Sequence, residues 1–81
     1  MRRIPNFVLL RAFEAAARLE SFTLAAHELN LTQSAISHQV KELEEYFGRP
    51  LFVRRNRGVE PSLEGRRLLE SLSRVFDVIQ D

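Results

Sequence analysis

Residues 32–41 read TQSAISHQVK and bring three hydroxyls, two carboxamides, an imidazole and an ammonium into ten positions. On a helical wheel, Ile36, Val40, Leu43 and Phe47 share one narrow arc. Ser34, His38, Lys41 and Glu45 lie opposite, and Gln33 and Ser37 flank them. Short polar side chains on an outward face let a helix backbone approach a partner surface closely. A Gln can pair with adenine through two hydrogen bonds, a Ser can reach several base edges, and a Lys suits guanine or phosphate. The free N–H groups and dipole at a helix start also favour an anion. Thr32, Gln33, Ser34, Ser37, His38 and Lys41 are therefore candidates for contact with nucleic acid.

Other chemistries fit less well. His27 and His38 are eleven residues apart with no Cys in the chain, so a metal site would need further ligands. Ser34, Ser37 and His38 share one exposed helix and have no orienting acid or oxyanion pocket nearby in sequence. Neither a P-loop nor a GxGxxG run occurs. No enzymatic activity, no metal and no cofactor are expected of these residues.

The net charge of +1 says little, but its distribution says more. Arg49, Arg54, Arg55 and Arg57 form a basic strip without an acid, whereas Glu42, Glu44 and Glu45 close the helix before it. A local strip of one sign can attract a polyanion even in a nearly neutral chain. The acids impose an orientation: the N-terminal end of helix 32–47 enters a groove and its acidic end stays out.

Several elements must position these residues. The chain of 81 residues is one small domain in size, with a globular composition that is 44% hydrophobic. It lacks an apolar run long enough to span a membrane, so no membrane role is expected. Pro5 at a first turn, followed by Phe7, Leu10, Phe13 and Ala17, predicts a helix over about residues 5–18. Ser21 or Thr23 caps a short second helix buried through Phe22, Ala25, Ala26 and Leu29, which Asn30 ends. Thr32 caps the third, with Leu31 and Ile36 at the spacing of a hydrophobic staple, and Gly48 and Pro50 stop it. The stretch from Leu51 to Pro61 predicts a β-hairpin with a basic tip at residues 54–58, where Asn56 and Gly58 can take positive φ. Ser62 caps a fourth helix, and Gly65 within it predicts close packing on a neighbouring backbone. That helix carries Leu63, Leu68, Leu72, Val75 and Ile79, widened by Leu69, Phe76 and Val78. Its apolar surface exceeds what a lone helix needs, which points to half of it packing on the body and half on a second chain. The expected fold is mainly α: a winged helix-turn-helix over residues 1–61 and a linker or dimerisation helix over 62–81. The rival reading is a helical protein-interaction module in which the basic strip is incidental.

The combination of SFTLAA, LTQSAISHQVKELE and GRPLFVR, with SLEGRRLL after it, resembles the N-terminal DNA-binding domain of LysR-type transcriptional regulators from about Asn6 to Ile79. SHQVKELE is most similar to the branch that includes regulators of glycine cleavage and β-lactamase genes. The resemblance implies sequence-specific binding to double-stranded, dyad-symmetric DNA in the bacterial cytoplasm, at the nucleoid. By similarity, base contacts fall on Gln33, Ser34, Ser37 and His38. Backbone contacts fall on Thr32 and Lys41 and on the wing residues Arg54, Arg55 and Arg57. Pairing of two chains falls on Leu68, Leu72, Val75, Phe76 and Ile79. Family members usually form tetramers and bind a small co-inducer in a C-terminal domain, so the chain is expected to be part of a longer regulator. Two departures bear on the site. The family often has Arg at the position of His38. Pro61-Ser62 stands where a Leu-Thr pair is usual, and Pro61 is expected to shorten the return strand.

Overall fold

The protein is described here by a computed structural model over residues 5–56 and 58–80. Helix α1 spans Phe7–Leu19 and begins at Asn6, whose side chain accepts from the Val8 amide at 2.7 Å. The carboxamide satisfies an amide that Pro5 has no means to satisfy, so the helix starts two residues later than proline placement alone predicts. Glu20 ends α1 in the left-handed region, at φ 52°. Helix α2, Phe22–Leu29, settles the choice of cap: Ser21 Oγ accepts from Leu24 N at 3.0 Å. Asn30, at φ 62°, and the bond from Leu31 N to Ala26 O close its end. Thr32 follows at once, and its Oγ1 accepts from Ala35 N at 3.0 Å to start α3, Gln33–Phe47. Only Asn30, Leu31 and Thr32 separate α2 from α3, which is the tight connection of a helix-turn-helix.

Small side chains let these helices close on one another. Ala12, Ala15 and Ala16 of α1 meet Ala25 and Ala26 of α2 and Ile36 and Val40 of α3. A second cluster joins Leu9, Phe13 and Ala17 to Leu43, Leu51 and Leu72. Phe52 links the two clusters, with its ring 5.4 Å from Phe13 and 5.3 Å from Phe22. Phe47 departs from the expected stripe and is 41% exposed. Periodicity gives its face correctly, but at the last helical position it lines an open cleft with Arg49, Leu51, Glu64 and Leu68.

Strands β1, Phe52–Arg55, and β2, Gly58–Pro61, pair antiparallel from Phe52 opposite Pro61 to Arg55 opposite Gly58. Pro61 therefore does not shorten the strand. It occupies the last rung, and Ser62 N supplies the next donor, to Leu51 O at 2.9 Å. Gly58, at φ 151°, takes the positive φ expected of it, whereas Asn56 does not. Helix α4, Leu63–Gln80, starts from Ser62, whose Oγ accepts from Gly65 N at 3.1 Å and donates to Pro50 O at 2.9 Å. A Cβ on Gly65 would lie 2.2 Å from Leu51 O, the close backbone approach that its presence in a helix predicts. The architecture is a winged helix-turn-helix followed by a long helix.

Candidate nucleic-acid interface

The core fixes α3 through Ile36, Val40 and Leu43, all buried. That leaves Gln33, Ser34, His38 and Lys41 exposed and Ser37 half-buried along the outer side of its first turns. Thr32 is exposed too, with its hydroxyl engaged in the cap. An open cleft runs between this face and the hairpin, lined by Ser37, His38, Lys41 and Glu44 of α3 and by Phe52, Arg54 and Val59 of the wing. The structure thus brings Ser37, His38, Lys41 and Arg54 to one cleft, with Gln33 and Ser34 a turn earlier on α3.

Two neighbours of these residues escape a one-dimensional reading. Thr23 Oγ1, on α2, donates to Gln33 Oε1 at 3.1 Å. The bond orients the carboxamide and adds a hydroxyl beside it. Its only signal in the sequence is a polar residue near the start of α2, which reads equally well as a cap. Glu42 Oε1 lies 3.8 Å from His38 Nε2, one turn along α3, and forms an ion pair when the imidazole is protonated.

The acidic end of α3 has a structural task. Glu44 Oε2 accepts from Leu51 N at 2.7 Å, and its backbone oxygen receives Gly48 N and Arg49 N. Glu44 thereby ties the helix end to the wing's first residues, while Glu42 and Glu45 remain exposed.

The basic strip is less uniform in space than in sequence. Arg49 Nη1 lies 3.3 Å from Glu64 of α4. Arg55 Nη2 donates to Glu60 Oε1 at 2.9 Å, and Arg66 Nη2 lies 3.7 Å from the same oxygen. The hydrogen bond from Arg55 holds the Glu60 carboxyl below the usual carboxylate range and raises Arg55 in turn. Arg54 is exposed and faces the α3 cleft. Arg57 lies outside the described residues.

The residues expected to pair two chains divide into two groups. Leu72 is buried and Leu68 packs on the same cluster, so both serve this chain's own core. Leu68 and Leu72, expected among the pairing residues, thus face the body in a single copy. Val75 is 51% exposed and Ile79 64%, and Phe76 is half-buried with its ring 5.6 Å from Phe7. Among the described residues no group of three or more His, Asp or Glu is placed to hold a metal ion. None of the described helices is long and apolar enough to cross a membrane.

The family described as "Bacterial regulatory helix-turn-helix protein, lysR family" matches residues 7–66. The chain is 56% identical over 71 residues to the HTH-type transcriptional activator AmpR of Providencia stuartii, covering 88% of this chain and 24% of that protein. It is 44% identical over 80 residues to the glycine cleavage system transcriptional activator of Escherichia coli K12, covering 99% and 26%. The chain therefore spans about a quarter of the length of these curated relatives. Among solved structures, a CbnR_DBD–DNA complex superposes with a TM-score of 0.82 at 31% identity, over 93% of this chain and 86% of that one.

Proposed function

Because the chain belongs to the lysR family of bacterial regulatory helix-turn-helix proteins, we propose that it binds double-stranded DNA sequence-specifically and performs no catalytic step. The observation that carries this reading is the outer face of α3. Its first turns present short polar side chains on a helix whose opposite side is locked in the core. The solved DNA complex of a relative with this fold supports it. In this reading Gln33, Ser34, Ser37 and His38 contact base edges in the major groove. Thr32, Lys41 and the wing arginines Arg54 and Arg57 contact the backbone or the minor groove, while Arg55 is engaged by Glu60.

Residues 62–81 act as the linker helix in this reading. Val75, Phe76 and Ile79 meet a second copy, while Leu68 and Leu72 hold the helix to the body from which it projects. Two copies on one axis place their α3 helices about one turn of DNA apart or a multiple of it, which suits a dyad-symmetric site. In a longer regulator, further domains would complete a tetramer and bind the co-inducer. The bacterial cytoplasm, at the nucleoid, is where such a complex would act.

Selection of bound duplexes from a random pool supplies a preferred site for the decisive comparison. Gln33→Ala and Ser37→Ala should each reduce discrimination between that site and a scrambled one by about 1–3 kcal/mol. Arg54→Ala should weaken binding to both duplexes by equal factors. Equal losses on both duplexes for Gln33→Ala and Ser37→Ala would remove α3 as the reading element. Absence of duplex binding even at low salt would favour the protein-interaction module instead.

A further inference from the structure

The wing carries one acid among its arginines, and it sits where it can cancel them. Glu60 of β2 is opposite Val53, so Arg55, two residues further along β1, shares its side of the hairpin on the diagonal. A single carboxylate oxygen receives Arg55 at 2.9 Å and lies 3.7 Å from Arg66. Arg54 points to the other side and lines the cleft with α3. Adjacent arginines thus stand in opposite electrostatic situations, one facing the cleft and the other held by an acid. Arg49 repeats the second situation with Glu64 at 3.3 Å.

Exposed ion pairs of this kind add little to fold stability, so their main consequence lies in what the paired arginine can still bind. A phosphate that recruits Arg55 must displace Glu60 or tolerate its negative charge well within a Debye length. We infer that Glu60 restrains the wing, holding Arg55 back from sequence-independent phosphate contacts so that recognition leans on α3. This rests on the DNA-binding reading and deepens it, since it assigns a positioning role to a residue that does not line the cleft with α3.

The test is a salt titration of binding to a random duplex by the full chain. Glu60→Gln keeps the size and a hydrogen-bond acceptor and removes the charge. It should tighten binding at least threefold, and the plot of log K against log salt should steepen by about one, the increment of one further neutralised phosphate. Adding Arg55→Gln to that variant should abolish both changes. Glu70→Gln, which removes the same charge from an exposed site on α4, should leave the slope as it was. An unchanged slope in Glu60→Gln, a gain that survives loss of Arg55, or an equal gain in Glu70→Gln would each overturn the inference. If Glu60→Gln fails to fold, the unaltered wing still decides: Arg54→Gln should weaken random-duplex binding several-fold and Arg55→Gln less than twofold. Equal losses there would also overturn it. An unsubstituted chain that binds no duplex defeats the DNA-binding reading and this inference together. A chain that binds, but whose slope ignores Glu60→Gln, defeats this inference alone.

Discussion

The two halves of α4 put similar residues to opposite uses. From Gly65 to Leu72 the helix is clamped to the body: Gly65 abuts the Leu51 carbonyl, and Leu68, Leu69 and Leu72 join the cluster around Phe13 and Leu43. From Ser73 onward only Phe76 still packs inward, against Phe7, while Val75, Val78 and Ile79 are all more than half exposed. One amphipathic pattern runs through both halves. What changes is whether the molecule has anything left to place against it. The proximal half belongs to the fold, and the distal half leaves apolar side chains in water, the surface that the proposed pairing of two copies would cover.

The comparison breaks most sharply at Gly65. In a free helix Ala is favoured over Gly by about 1 kcal/mol. Here the added methyl meets backbone at 2.2 Å, which neither Leu51 nor the helix can relieve by rotating a side chain. Gly65→Ala should therefore cost about 2 kcal/mol net, since overpacking of this kind exceeds the propensity gain. In a domain of this size that corresponds to a fall of roughly 10 °C in the melting midpoint. A midpoint that rises would show that the clamp is looser than the backbone contact implies.

The distal half should respond in the opposite sense. Val75→Asp combined with Ile79→Asp should weaken self-association at least tenfold in sedimentation experiments. The unfolding free energy of the dilute chain should change by no more than about 0.5 kcal/mol, as for surface positions elsewhere. Dimerisation that survives both substitutions would move the pairing surface away from α4.

This division shows which features a sequence carries and which it does not. Thr32, Ser62 and Gly48 are legible because caps and stops act within a few residues. Gly65 is legible because a glycine inside a helix demands a close neighbour. The face of α3 is legible from the spacing of Ile36, Val40 and Leu43. The extent of burial is not, because periodicity gives direction and leaves open what stands opposite. Phe47 fails for that reason. Asn6 in place of Pro5 is a miss of another kind, in which two local signals compete and a satisfied amide decides. Distant pairs are hidden altogether. Thr23 with Gln33, Arg49 with Glu64 and Arg55 with Glu60 form only when the chain folds, so a strip that reads as uniformly basic is partly neutral in space.

The gentlest probe lies beneath the distal half of α4. There Ser73, Phe76, Asp77 and Gln80 line a cleft with Glu14, Arg18 and Glu28. Arg18 donates to the half-exposed Glu28 and, at 2.9 Å, to the buried Glu14, tying α1 to α2. The hydrogen bond from Arg18 holds the Glu28 carboxyl below its ordinary value of 4.5. A carboxyl depressed by folding stabilises the protein fully above its unfolded value and loses that contribution as pH falls through the folded one. Stability should therefore decline as pH drops below about 4.5, and Glu28→Gln should flatten the share of that decline due to this pair. Solvent screening at so exposed a group limits the effect to a fraction of about 1 kcal/mol, so the difference between the two titration curves is the quantity to measure. Self-association at neutral pH should be unchanged in Glu28→Gln, because Val75 and Ile79 are each more than half exposed and Ile79 only borders the cleft that holds Glu28. If association changed as well, the cleft under α4 would be part of the pairing surface, and the clean separation of its two halves would fail.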